Sequence, residues 1–593
     1  MTAAGQPGAI TLGTERIARF LSEVLPHDPR AKLRVVHVAG TNGKGSVCAL
    51  VSEALAAAGY RVGTFNSPHF LEPSDAVRLQ GAPIPAGEYA ALRAWIRTLD
   101  AAAPSPAGCL SMFEQTAAAA LWWFAQSGVD VAVVEVGMGG LRDATNVFGP
   151  PDGSGAGRSL VQCICPVDAD HVGFIGDTVE EIAREKAGIM RPGSWIIIAN
   201  QDRADAFHKI RQIAHRTSPG RIINVRRQPS HDIHVPDFSI RRTAGEDAPV
   251  RPPVELPTWA AFKGTGSRCL RLKYPPSLDT YTKPGHHPPR HSSHDASSAP
   301  GRPADGERPA ADAPAEPRQT EVDLPLALPG YYQAGNASVA FYALDVLRTE
   351  FGFDRLTDAT IQIGFQNVRW PGRLSWLSLA ALRAARLDAL TSASPCELAG
   401  SAVSSDSAPN FEPITGGGGS GGGGSGGGEC SAFDASDSLD NWILADGAHN
   451  EPAAVELRKY VDTTLRRISQ QRYIRATRAR GASKALHVRW IVGFTAGKDV
   501  AAILARLVQP GDALWTVPFS QPSEMPWIRC EAPDAIARAA APLPGAVAVE
   551  NFALLADVLD RLAADASDDH LNVLCGSLYL VADLFRGLEM HPF

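Results

Sequence analysis

Residues 33–59, LRVVHVAGTNGKGSVCALVSEALAAAG, constrain the fold more than any other stretch. An apolar run meets a loop with three glycines and a lysine, and an amphipathic run follows. This order is that of strand, tight loop and helix. A glycine-rich turn of this kind lets backbone N–H groups curl around phosphate oxygens, and the helix N-terminus adds a favourable dipole. Lys44 contributes a point charge. Thr41, Asn42, Gly43, Lys44, Gly45 and Ser46 are therefore candidate nucleotide contacts, although Gly45 separates Lys44 from Ser46 and breaks the common phosphate-loop spacing. The further apolar runs YRVGTF, VDVAVVEVG and SWIIIAN read as strands. They alternate with helical patterns such as FEQTAAAALWWFAQSG and TVEEIAREKAGIM. Apolar strands alternating with helices predict an α/β fold with a parallel sheet.

The chain has 593 residues, more than one core supports at roughly 100–200 residues per domain. Two interruptions divide it. Residues 226–322 are rich in Pro, His, Ser and Asp, a composition that predicts a disordered insert. Residues 392–437 contain TGGGGSGGGGSGGGE, which reads as a flexible coil. After the second come NWILADGAHN, HVRWIVGF, DALWTVPF and LNVLCGSLYL, again strands among helices. The expected division is residues 1–373 for a unit carrying the candidate nucleotide loop and 374–593 for a smaller α/β unit.

Composition excludes some classes of partner. A net charge of −7 without a long basic cluster argues against a nucleic-acid surface. The longest apolar stretch is too short to span a bilayer. The N-terminal residues lack a signal-peptide core and carry Glu15, so a cytoplasmic address is expected, with a mitochondrial form as the alternative. Cys163 and Cys165 form the close cysteine pair, with no second pair at metal spacing, and the nine cysteines are expected to be reduced thiols. The chain is expected to be a monomer.

Several residues carry chemistry by position. Glu135 ends an apolar strand, where a carboxylate needs a cleft, a metal or a partner. Asp143 and Asn146 follow in a glycine-rich loop. Asp170 and His171 follow another apolar run. Lys186 by itself reads as a solvated helix lysine. Arg373 follows a Pro-Gly turn where the two units join. Asp446, His449, Asn450 and Ser577 lie at strand-to-helix turns along the edge of a second sheet.

The motifs HVAGTNGKGSVCALV, NSPHF, FEQT, VVEVGMGG, DATNV, DHVGFIGDTVEEIAREKAGI, WPGRL, DGAHN and CGSLYL occur in this order. The chain thereby resembles the dihydrofolate synthase and folylpolyglutamate synthase family, which groups with the Mur ligases. The likeness runs from about Leu12 to the C-terminus and omits both low-complexity segments. SEMPWIRCEAPDAI, residues 523–536, is similar to the fungal dihydrofolate synthase branch.

The resemblance implies an ATP-dependent ligase that joins L-glutamate to dihydropteroate through an acyl phosphate. A folylpolyglutamate synthase, a bifunctional enzyme and an inactive nucleotide-binding scaffold are the alternatives. By the same likeness, magnesium is held at Ser67, Glu135 and His171, and Lys186 is carbamylated, with a second metal site. Asn336, Arg373 and Asp446 match ATP-contacting positions. His449 and Ser577 match positions near the incoming glutamate. Phe113, Arg142 and Asp143 fall where the pterin substrate, dihydropteroate or folate, is held. The order Leu141–Arg142 is the reverse of the family's usual Arg–Leu, which leaves the contact of Arg142 open.

Overall fold

The structure, a computed structural model, describes residues 12–170, 173–218, 220–225, 233–234, 269–274, 320–378, 442–465, 487–543, 548–564, 570–588 and 590. Eight strands form the first sheet: β1 (Arg34–Ala39), β2 (Val62–Phe65), β3 (Val77–Leu79), β4 (Ala82–Pro83), β5 (Val131–Glu135), β6 (Arg158–Ile164), β7 (Trp195–Ile198) and β8 (Ile222–Asn224). Their order is β4-β3-β2-β5-β1-β6-β7-β8. The run from β2 to β8 is parallel, while β3 and β4 add an antiparallel edge.

Helices cover both faces, which explains why these strands read as nearly continuous apolar runs. The helices of this unit are α1 (Glu15–Arg19), α2 (Lys44–Ala57), α3 (Ala86–Ala102), α4 (Met112–Gln126), α5 (Val179–Ala187), α6 (Ala204–Thr217), α7 (Tyr332–Glu350) and α8 (Asp358–Asn367). Val36, Val38 and Val133 face Val47 and Leu50 of α2 together with Phe341 and Phe365. The alternate residues Val35, Ala132 and Val134 face Phe20, Ala119 and Phe124. This strict alternation is the two-residue period of a pleated strand. Ser111 caps α4 and Thr178 caps α5, each with a glutamate three residues into the helix completing the reciprocal bond.

A second sheet has the order β12-β13-β17-β14-β15-β16. Its strands are β12 (Ser375–Ser378), β13 (Trp442–Ala445), β14 (His487–Val492), β15 (Ala513–Thr516), β16 (Ala548–Asn551) and β17 (His570–Cys575). All pairs are parallel except β12 with β13. We propose the boundary between the units at 373/374, immediately before β12.

Residues 226–322 depart from the sequence expectation. Within or overlapping that span, Ile233–His234 (β9), Cys269–Tyr274 (β10) and Thr320–Pro325 (β11) form a three-stranded antiparallel sheet. The stretch CLRLKY has a two-residue apolar alternation that the surrounding polar composition obscured. Leu324 of β11 is fully buried in the first unit's core. Residues 392–437 lie outside the described residues. Among the described residues, no helix is long and apolar enough to cross a membrane.

The two interruptions should therefore behave differently when removed. Replacing 392–437 with a short Gly-Ser linker should move the thermal midpoint by no more than about 2 °C, because loop-closure entropy changes slowly with length. Replacing 226–322 deletes β9, β10 and the start of β11, and should lower the midpoint by clearly more. Scanning calorimetry of both variants checks this.

Candidate active site

The candidate site forms at the carboxyl ends of four adjacent strands, β2, β5, β1 and β6. In a parallel sheet these ends bring together residues far apart in sequence. From β1 the chain turns through Gly40–Gly43 into α2. Thr41 Oγ1 donates to the Asp168 carbonyl at 3.1 Å and accepts from the Asp168 amide at the same distance, which pins the loop to the segment after β6. Gly43 caps α2 with φ +91°, a left-handed conformation that suits glycine. A Cβ here would also collide with the side-chain oxygen of Asn336 on α7. Asn336 is buried, and its amide donates to Gln333 Oε1 at 2.9 Å. Gln333 in turn donates to Ser46 Oγ at 3.3 Å. Gly45 lies against the Trp370 indole, where a Cβ would also collide.

Lys44 folds back over the loop. Its ammonium donates to the carbonyls of Gly40 at 3.2 Å and Thr41 at 3.3 Å, and stands 3.9 Å from Glu135 Oε1. Glu135 is only 5% exposed, so it is a buried carboxylate and not a surface one. Burial raises its pKa, opposed chiefly by Lys44 and by hydrogen bonds from Asn66 and the Ser67 amide. Asn66 Nδ2 donates to Glu135 Oε2 at 2.8 Å. The Asn66 carbonyl is held by Arg78, a buried guanidinium stacked 4.9 Å from the Trp370 ring centroid. Neither Asn66, Arg78 nor Trp370 was singled out from sequence. Arg78 is a lone basic residue in a short strand, and nothing local marks it.

The donor set at the cleft suits a divalent cation. Ser67 Oγ is buried without a partner and belongs to the same cleft as Glu135, Gly45 and Arg373. An unsatisfied buried hydroxyl beside a carboxylate with a raised pKa fits a hard oxygen-seeking ion. His171 lies outside the described residues. Among the described residues, no three His, Cys, Asp or Glu side chains converge as a ready-made metal site.

Lys186 corrects the reading of a solvated helix lysine. It is 2% exposed, and its ammonium donates to the Gly40 carbonyl at 3.0 Å. Burial and then the charge of Lys44 push its pKa down to about 7. Its partner lies 146 positions away, so no local pattern signals the contact.

The second unit faces this cleft across the Trp370–Leu374 junction. Arg373 Nη1 donates to the Gly372 carbonyl at 2.9 Å, and its charge is felt by Glu135, Asp446 and His449. Asp446 is buried, accepting from the Leu374 amide at 2.9 Å and the Ala448 amide at 2.8 Å. Both carboxylate oxygens thus already hold the junction, which includes Leu374 at φ +48°. His449 Nδ1 lies 2.7 Å from the Gly447 carbonyl, which places a proton on Nδ1. Burial, with Lys498 next, pushes the His449 pKa down to about 4. Nε2 is therefore a bare acceptor at neutral pH. Ser577 caps the helix Leu578–Arg586, accepting from the Tyr579 amide at 3.1 Å. Asn450 Nδ2 donates to Asn42 Oδ1 at 3.1 Å, and Lys498 pairs with Asp170 at 3.2 Å, so both bonds cross between units.

The substrate candidates are less uniform. The Phe113 ring lies over Gly137 and 5.9 Å from the Phe65 centroid. Arg142 turns to Glu185, with Nε 3.2 Å from Oε2, and its side chain is 46% exposed. Asp143 is 2% exposed, with Oδ1 accepting from the Thr145 amide and hydroxyl and Oδ2 from the Met138 amide. In this structure its carboxylate braces the glycine-rich loop rather than presenting free oxygens to a ligand. Cys163 and Cys165 are buried free thiols, whereas Cys109 is exposed.

A glycine-rich strand–helix loop on one α/β unit, facing the turn residues of a second α/β unit, gives the chain a two-unit fold of Mur-ligase-like build. A family model described as "Dihydrofolate synthetase, C-terminal domain" matches residues 432–587. The chain is 26% identical over 581 residues to a probable dihydrofolate synthetase of Schizosaccharomyces pombe, covering 98% of this chain and 99% of that protein. It is 25% identical over 589 residues to the dihydrofolate synthetase of Saccharomyces cerevisiae, with the same two coverages of 98% and 99%. The fold matches that of Mycobacterium tuberculosis folylpolyglutamate synthase complexed with ADP and AMPPCP at a TM-score of 0.61, with 21% identity, over 98% of this chain and 96% of that one. It also matches a bifunctional folylpolyglutamate synthase/dihydrofolate synthase with Mn, AMPPNP and L-glutamate bound, at a TM-score of 0.56, 21% identity and coverages of 98% and 95%. Along nearly its whole length the chain is thus similar to fungal dihydrofolate synthetases, and its fold is that of folylpolyglutamate synthases.

The crowding at Gly43 gives a direct test. Gly43→Ala should cost about 1–2 kcal/mol from the left-handed φ alone. The collision with Asn336 should also weaken ATP binding measurably. Gly352→Ala is the control, since Gly352 has φ +70° with nothing within 4 Å of a new Cβ. It should lower stability while leaving nucleotide affinity unchanged in a fluorescence titration.

Proposed function

We propose that this chain is a dihydrofolate synthase, an ATP-dependent ligase that joins L-glutamate to dihydropteroate and releases ADP and phosphate. The observation that carries this reading is the half-buried Lys44 paired with the buried Glu135 beside the orphaned Ser67 hydroxyl, across the junction from Arg373 and His449. Full-length similarity to two fungal dihydrofolate synthetases supports the choice of substrate.

A carboxylate does not acylate an amine directly, because its leaving group would be oxide. In the first step a carboxylate oxygen of dihydropteroate forms a bond to the γ-phosphorus of ATP, and the bond to the ADP oxygen breaks. In the second, the amine nitrogen of glutamate attacks the carbonyl carbon of the acyl phosphate. The carbon–oxygen bond to phosphate then breaks, and the amine loses its proton. Lys44 and the N-terminus of α2 stabilise charge on the transferring phosphoryl group. Ser67 and Glu135, with His171, would hold a divalent cation, magnesium in our reading, which supplies further charge neutralisation there. Arg373 adds a second positive charge from the hinge. Neutral His449 offers Nε2 to the incoming ammonium group. Placing reactants across two units supplies orientation, and closure limits loss of the acyl phosphate to water. Thr41, Asn42, Ser46 and Asn336 shape the phosphate loop, Phe113 lines the substrate side, and Asp446 and Ser577 act through the turns they hold.

Carbamylation of Lys186 follows from its surroundings as well as from the family. Carbon dioxide adds to a neutral amine, and a pKa of about 7 leaves much of Lys186 neutral at physiological pH. Raising the pH through 7 deprotonates the amine and favours the carbamate. Lowering it protonates the amine and opposes the modification. Activity recovered after exposure to pH 6 should therefore return faster with added bicarbonate. Lys186→Ala should lose activity in a form that small carboxylates such as acetate partly restore. An active wild-type enzyme whose crystal structure shows an unmodified lysine would refute this.

The defining experiment offers the purified protein ATP, magnesium and glutamate with either dihydropteroate or tetrahydrofolate, and reads products by mass spectrometry. Dihydrofolate from the first, with no diglutamate from the second, is the expected result. The two substrates place their reacting carboxylates at different reaches from the pterin, so a fixed pterin position cannot align both with one phosphate. Efficient extension of tetrahydrofolate without use of dihydropteroate would instead establish a folylpolyglutamate synthase.

A further inference from the structure

Arg93 and Glu524 lie on different units and meet at a corner where no catalytic motif falls. Arg93 projects from α3, and its side chain is only 3% exposed. Its Nη2 stands 3.4 Å from Oε2 of Glu524, which belongs to the second unit's loop between β15 and the helix Pro533–Ala540. Among the described residues, Glu524 is the carboxylate paired with this guanidinium. A buried cation that loses its counter-ion pays a large desolvation penalty, so this contact favours seating the loop on α3. Tyr89, one turn before Arg93, packs its ring 5.7 Å from the guanidinium and feels both charges.

The same guanidinium reaches the substrate side. Arg93 Nη1 donates to the Met112 carbonyl at 3.0 Å and to the Thr116 hydroxyl. Met112 opens α4, and the next residue is Phe113, whose ring covers Gly137 two positions after Glu135. The Glu524 loop is tied to its own unit as well. Tyr579 Oη donates to Met525 Sδ at 3.3 Å, two residues after the Ser577 cap, and Gln521 donates to the Met525 carbonyl at 2.7 Å. Backbone strain marks the loop at the point of contact, since Glu524 has φ +59°. Through these hydrogen bonds the ion pair connects the first turn of α4 to the helix Leu578–Arg586.

We propose that Arg93 and Glu524 are positioning residues for the pteroyl substrate: their ion pair clasps the second unit to α3 and α4 and sets the place of Phe113. This rests on the reading of the site as one that takes a flat pterin–benzoate substrate. The clasp acts through Phe113 and does not touch the phosphate loop. Its loss therefore separates substrate binding from nucleotide binding.

The test uses the full chain carrying Glu524→Gln, which keeps the size of a partly exposed side chain and removes its charge. The Michaelis constant for dihydropteroate should rise roughly tenfold, as expected when a buried guanidinium loses its counter-ion. The dissociation constant for ATP should stay within about twofold, because the phosphate loop is untouched. In substrate-free protein, hydrogen exchange should quicken in residues 111–118 and 520–530, and stay unchanged in 44–57. Arg93→Lys, which keeps the charge, should lie between wild type and Glu524→Gln in both readouts. Unchanged exchange at 111–118 in Glu524→Gln would overturn the clasp. So would an equal weakening for pteroyl substrate and ATP. Should the wild type ignore dihydropteroate altogether, the substrate reading fails, and the exchange measurement still decides whether the clasp exists.

Discussion

The site depends on one buried carboxylate. Glu135 pairs in register with Val38, so its side chain is delivered to the mouth of the β1 loop by the sheet itself. An isolated carboxylate there would be costly and would tend to take up a proton. Four groups oppose that cost: the Lys44 ammonium, the Asn66 amide, the Ser67 amide and the Arg373 charge. Behind them stands Arg78, which holds Asn66 and is itself packed on Trp370. Trp370 in turn closes over Gly45. The phosphate loop, the carboxylate and the hinge are therefore one packed assembly, and a change in any of them is felt by the others.

The second constraint is the contact between units. Asp446 ties the backbone of Leu374 to the turn after β13, so the hinge is braced by a side chain of the second sheet. Asn42 with Asn450 and Asp170 with Lys498 join the two nucleotide-side edges. Arg93 with Glu524 joins them on the substrate side. These are charged or polar contacts in a partly dry cleft. Such contacts give register and orientation more than raw stability, which is what a reaction needing three aligned substrates requires.

Much of this was legible in the chain alone. The strand–loop–helix order around Gly40–Ser46, the strand ending at Glu135 and the turn residues near His449 are local patterns with local causes. Each follows from period, glycine placement or helix capping. The misreadings have causes that local pattern does not carry. Lys186 looks solvated on its own helix, because the carbonyl that buries it belongs to Gly40. The alternation in Cys269–Tyr274 was masked by the polar residues on both sides.

By itself the sequence determined the α/β class, the glycine-rich strand–helix loop, the two-sheet organisation and the resemblance to dihydrofolate synthases. These rest on short-range periodicity and on motifs whose order does not depend on packing. Tertiary structure alone decided which charges are buried, which carboxylates are already committed, and which residues meet across the hinge. The physical reason is range. Burial and Coulomb interactions depend on distance in space, and the pairs that matter here lie 91 positions apart for Lys44 and Glu135 and 431 for Arg93 and Glu524. No window along the chain contains both partners of either pair.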